Sequence, residues 1–129
     1  MARLYFASGQ GVDQLGITID AASLDGSELI GVMPVTATTT EAIFKDTNDD
    51  VINNIRVVFT HDDTHAVESG ASGHRCREIA EVLAAAASAG PHSVTVDVLD
   101  FDNNIKTPGL NFVTAVSIES GNFNMFWNQ

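Results

Sequence analysis

Val35-Thr36-Ala37-Thr38-Thr39-Thr40-Glu41-Ala42-Ile43-Phe44, then Lys45-Asp46-Thr47-Asn48-Asp49-Asp50, then Val51-Ile52-Asn53-Asn54-Ile55-Arg56-Val57-Val58-Phe59 is the stretch on which the fold turns. Two runs rich in β-branched and apolar residues flank a segment whose Asp and Asn side chains favour turns. That order predicts two antiparallel strands joined as a hairpin. In the second run Val51, Ile55, Val57 and Phe59 supply an apolar face. The threonines between Thr36 and Thr40 predict extended backbone that faces water on alternate positions.

Toward the N-terminus, Leu4-Tyr5-Phe6-Ala7 reads as a strand ended by Ser8-Gly9-Gln10-Gly11. Between Leu15 and Asp20, Leu15, Ile17 and Ile19 alternate with Gly16, Thr18 and Asp20, which predicts one buried face. Ser23-Leu24-Asp25-Gly26-Ser27 has the composition of a turn, and Leu29 to Met33 that of another strand. Pro34 lacks an amide hydrogen, so it is expected at a sheet edge or strand junction. Toward the C-terminus, Cys76, Ile79, Ala80, Val82, Leu83, Ala86 and Ala87 recur at helical spacing between His74 and Ala89, with Gly90-Pro91 as the stop. Val94, Val96 and Val98 then alternate with Thr95 and Asp97 in a strand from Ser93 to Leu99. Asp100 to Gly109 is expected as a loop, and Phe112 to Ile118 as the last strand, with Phe112, Thr114, Val116 and Ile118 on one side. The expectation is a single α+β domain over residues 1–129. It is mostly an antiparallel β-sandwich or a partly open barrel, with one amphipathic helix, about 74–89, packed on it.

A chain of 129 residues, 44% hydrophobic and 18% charged, suits one globular core. It has no apolar run long enough to cross a bilayer as a helix, and Met1-Ala2-Arg3-Leu4-Tyr5-Phe6 reaches Gln10 and Asp13 without the apolar centre of a signal peptide. Seventeen acids against six bases give a formal charge of −11, which repels phosphate and argues against nucleic acid or anionic lipid as a partner. Such a surface is best tolerated in salty surroundings, where charges are screened. The single Cys76 has no internal disulfide partner and lies on the predicted helix.

His61-Asp62-Asp63-Thr64-His65 is the densest group of metal-ligand side chains. Two histidines four apart meet on a helix, but this stretch follows a strand and carries no Glu beside the first histidine, so a solvated turn is the preferred reading. His74 and His92 flank the helix and reach this group only through tertiary folding. Asp46-Thr47-Asn48-Asp49-Asp50 and Asp100-Phe101-Asp102-Asn103-Asn104 begin like calcium loops. Val51 and Ile105 stand where such a loop needs Gly, and Val57 and Asn111 where it needs the closing Glu, so Asx turns are preferred. Ser8-Gly9-Gln10-Gly11 and Ser69-Gly70-Ala71-Ser72-Gly73 lack a phosphate-binding lysine. No residue is assigned a catalytic, cofactor-binding or metal-ligating role, and no cofactor is expected.

Glu28-Leu29-Ile30-Gly31-Val32, the Thr36 to Thr40 run, Val51 to Phe59, one Ala-rich helix and a Val-Thr strand, over about residues 28–99, resemble the small β-rich accessory virion proteins of tailed bacteriophages, especially those of marine bacteria. The resemblance implies a non-enzymatic structural part such as a capsid decoration or cement protein, made in the host cytoplasm and carried on the virion. It would be present in many copies that assemble by strand edges and termini. The partners expected are further copies of the chain, a larger protein shell, or both. Two other readings compete: a small module binding a ligand or divalent cation through the Asp-rich loops, and a small enzyme built on His61, Asp62 and His65.

Phe123, Met125, Phe126 and Trp127 concentrate aromatic and thioether surface in residues 122–129, the composition of a core strand or of an interface anchor. Burying each large side chain contributes about 1.5–3 kcal/mol before ordering costs. If they dock on a neighbouring copy, deleting residues 122–129 leaves a folded chain that has lost its multimers. If they complete their own core, the same deletion unfolds or aggregates it. Light scattering with circular dichroism separates the two outcomes.

Overall fold

The computed structural model describes residues 1–9, 18–45, 54–62, 74–91 and 93–121. Its strands are β1 (Arg3–Ala7), β2 (Thr18–Ile19), β3 (Ala21–Asp25), β4 (Leu29–Thr36), β5 (Thr39–Lys45), β6 (Asn54–His61), β7 (Thr95–Asp100), β8 (Ile105–Lys106) and β9 (Val113–Gly121), with one helix, α1 (His74–Ala87). The larger sheet has the order β2-β9-β6-β5-β4 and the smaller β3-β1-β7-β8. Every pairing is antiparallel except β1 with β7.

Period-two alternation builds the larger sheet. Val32, Ala42, Val57, Ile118 and Ile19 form one cross-strand row through all its strands on the core side. Pro34, Thr40, Phe59 and Val116 form the next. The smaller sheet packs Leu4 and Phe6 of β1 into the same core. Phe6 meets Phe44 and Phe59 edge-to-face, each at 6.0 Å between ring centroids. Two separate sheets share this core, so of the two expected architectures the sandwich is the one formed, with no closed barrel.

β5 and β6 pair antiparallel as the sequence predicts, in register from Thr39 opposite Thr60 to Lys45 opposite Asn54, while the connection 46–53, with Val51 of the expected strand, lies outside the described residues. Pro34 sits on β4, an edge strand. Other expectations need correction. Ser23 and Leu24 are not in a turn. They pair with Tyr5 and Leu4, and the turn begins at Asp25, whose carboxylate accepts from the Ser27 amide at 2.9 Å and caps a short 3-10 turn, Gly26–Glu28. The threonine run is not continuous strand. Thr36 Oγ1 accepts from the Thr38 amide at 3.2 Å and lies 2.7 Å from Thr39 Oγ1, which folds the chain back at Ala37 and Thr38. His61 is no solvated turn residue but the buried end of β6.

Bulges account for the remaining differences. The register of β9 against β6 shifts at Thr114, so Val113 is buried and Thr114 exposed, the reverse of the expected alternation. The register of β1 against β7 skips Val98, which lets Val98 and Leu99 both enter the core. Val94 lies outside β7 and is exposed, and the expected loop after Asp100 contains β8. On β4 the shifts leave Ile30 and Val35 as the extra residues. The aspartates of 46–50 and the tail residues Phe123, Met125, Phe126 and Trp127 lie outside the described residues.

The helix ends at Ala87, two positions before the predicted Ala89, where the Ala2 amide donates to the Ala87 carbonyl at 2.8 Å. Gly26 packs against this end. A Cβ there would stand 2.7 Å from Ala87 Cβ and 2.8 Å from the Ala2 carbonyl oxygen, so only glycine fits. Ile79, Leu83 and Ala86 carry α1 into the shared core. Leu83 is fully buried, so Leu83→Ala is expected to cost about 2–5 kcal/mol, read as a lower denaturant midpoint at unchanged slope. An unchanged midpoint would contradict this placement.

Candidate functional site

Three polar groups stand out from the apolar framework. In the first, β6 delivers His61 to the boundary between sheet and helix, where it is 3% exposed. Its Nδ1 donates to the Asp62 carbonyl oxygen at 2.6 Å. A carbonyl only accepts, so Nδ1 carries the hydrogen. In the neutral ring Nε2 then accepts from the Thr40 hydroxyl at 2.9 Å. The imidazole also meets Phe112 edge-to-face at 6.1 Å, and Arg75 from the first turn of α1 lies 4.0 Å above the same ring. Arg75 reaches Asp62 from Nε at 2.9 Å and from Nη2 at 3.2 Å, and turns Nη1 to Glu78 at 3.1 Å.

This arrangement brings His61 and Asp62 together, but not as a catalytic pair. The Asp62 carboxylate faces Arg75, while only its backbone faces the imidazole. Both ring nitrogens of His61 are engaged, so ligating a metal there would first break a buried hydrogen bond. Asp63, His65 and His92 lie outside the described residues, and of His74 only its place at the start of α1 is described. Cys76 is half-buried, and burial pushes its thiol pKa up, away from the reactive thiolate. Of its flanking bases, Arg75 is held as above and Arg77 donates to Glu81 at 3.3 Å.

The second group is the loop after β7. Asp100 accepts from the amides of Asp102 at 3.0 Å and Asn103 at 3.1 Å, and from Asn103 Nδ2 at 2.8 Å. Asn104, at φ 58°, turns the chain into β8. The oxygens that resemble the start of a calcium loop thus form an Asx turn. Nearby, burial and then the charges of Asp100, Asp102, Asp20 and Asp97 push the Tyr5 phenol pKa up. Among the described residues no three His, Cys, Asp or Glu side chains come together as a metal site.

The third group has no counterpart in the motifs of the sequence. On the larger sheet's outer face, Arg56 of β6 donates through Nε to Glu119 of β9 at 2.9 Å and also contacts it through Nη2. Its Nη1 stands 3.6 Å from Glu41 of β5. Glu41 is only 3% exposed, and burial pushes its carboxyl pKa up, with Arg56 opposing and Glu119 adding to the shift. Strand alternation does place Glu41 opposite the face of Thr40 and Ala42, but its ionic neighbours come from other strands and depend on register.

Thr40→Val keeps the shape of the side chain and removes the hydroxyl that meets His61. It is expected to cost about 1–3 kcal/mol, because a buried imidazole nitrogen loses its partner; urea unfolding checks this. No helix among the described residues is long and apolar enough to cross a membrane. Compared with protein-family models, curated proteins and solved structures, the chain matches none of them.

Proposed function

We propose that this chain is a self-associating structural component of a virion, a capsid decoration or cement protein of a tailed bacteriophage, acting in many copies against one another or on a larger protein shell. The observation that carries this reading is the edge strand β4. Ile30 at 50% and Val35 at 48% exposure present large apolar side chains to solvent on a strand that, among the described residues, ends the larger sheet. Both are bulged residues, and Pro34 stands beside the second.

Bulges and proline interrupt the row of backbone groups that would template another strand, so this edge resists open-ended ladder growth. Contact at β4 is then made by side chains over a bounded patch, which suits a shell protein that must stop at a defined neighbour. The −11 charge opposes crowding of copies, so apolar contact and screening salt are both needed.

The test is native mass spectrometry and light scattering over a concentration series in moderate salt. The wild-type chain is expected to form multimers. If each side chain contributes about 1.5 kcal/mol on burial, Ile30→Asp with Val35→Asp weakens association about a hundredfold or more. The unfolding midpoint should stay near the wild-type value, since neither residue lies in the core. A wild-type chain that stays monomeric throughout the series would remove the proposal.

A further inference from the structure

Where α1 ends, the surface holds an apolar groove of about 410 Å³, within the range of sites that receive a ligand. Met1, Gly26 and Leu29 wall one side, and Ala84, Ala87 and Ser88 the other. Its walls are fixed in advance. Gly26 packs on Ala87 with no room for a Cβ, and the Ala2 amide holds the Ala87 carbonyl at 2.8 Å. The rim carries exposed apolar side chains: Met1 itself, and Ile30, which follows Leu29 in the chain and is an extra residue of β4. No residue of the lining has a titratable side chain, although the chain as a whole carries a formal charge of −11. Of the charged groups close in sequence, Asp25 accepts from the Ser27 amide and hydroxyl, and Arg3 donates to Ser23.

We propose that this groove is the socket for a second copy of the chain, paired about a two-fold axis so that Ile30 of each copy seats in the groove of the other. The proposal rests on the self-association read from β4 and names the surface that receives it. A two-fold interface brings the same patch of both copies together, so that patch must hold a protrusion and also a recess to take it. Ile30 and the groove meet this condition side by side, joined through Leu29. Charge selects the same occupant. Two copies at −11 repel least where they meet on uncharged surface, whereas a basic partner would be drawn to the acidic surface elsewhere. A small apolar ligand would fill the groove and leave the rim in water. The two-fold pair is closed, since each copy both gives and receives the same contact.

Ala84 is exposed on the groove wall and lies outside the core, so Ala84→Glu sets bulk and charge in the socket while keeping a good helix former. In native mass spectrometry over a concentration series in moderate salt, the variant is expected to associate about tenfold or more weakly than the wild type, with its unfolding midpoint held. Multimers that weaken on Ile30→Asp with Val35→Asp but not on Ala84→Glu overturn the socket and leave the β4 reading standing. A wild-type chain that stays monomeric removes both. Should Ala84→Glu fail to fold, NMR of the wild type over the same concentration series decides. The amide signals of Ala84, Ala87 and Ser88 are expected to shift together with that of Ile30, and helix signals that stay in place while Ile30 moves sink the proposal.

Discussion

Phe6 is the side chain on which the two sheets depend. Its ring stands between Phe44 and Phe59, edge-on to both, so one residue of the smaller sheet fills the space between two strands of the larger. Such contacts are worth more than their buried area alone and have a preferred geometry, so they fix β1 in position as well as holding it down. The rest of the small sheet follows from that placement. β3 pairs along one side of β1 and β7 runs parallel along the other. The bulge at Val98 then turns two consecutive β7 side chains inward beside Phe6. The helix supplies Ile79 and Leu83 to the same core, and its end is tied to β1 and the 3-10 turn through Ala2, Gly26 and Ala87.

Most of the polar groups that look like chemistry serve this framework. His61, Arg75 and Asp62 join the end of β6 to the start of α1, and Asp100 closes the turn between β7 and β8. In each case the donors and acceptors that would meet a ligand already meet neighbouring residues, which lowers the cost of burying them. Glu41 differs. Its carboxyl is as buried as His61, yet it has one long ionic contact with a base that also holds another acid. A sheet stabilised by apolar rows on one face thus carries an ionic cluster of Glu41, Arg56 and Glu119 on the other.

The edge strand shows how one segment combines folding and association. Ile30 and Val35 lie outside the core because each is an extra residue in β4, displaced from the pleat that turns Val32 toward Ala42. The same displacement that exposes them breaks the row of hydrogen-bonding groups along the edge. Exposed apolar surface and a poor strand template therefore have a single cause.

The sequence by itself determined the elements with strong local periodicity. Ile55, Val57 and Phe59 alternate into the core, and Ile79, Leu83 and Ala86 recur at helical spacing and face it. Pro34 needed an edge because it has no amide hydrogen. These readings hold because the pattern of burial is written within one element. Tertiary structure alone decided the hairpin turn within the threonine run, the burial of His61, the parallel pairing of β1 with β7, and the meeting of Glu41, Arg56 and Glu119. Threonine and histidine are compatible with strand or turn, and a bulge of one residue reverses which side chains face inward, as Val113 and Thr114 show. Cross-strand register joins residues far apart in the chain, so the charge cluster on the outer face exists only once all three strands are aligned.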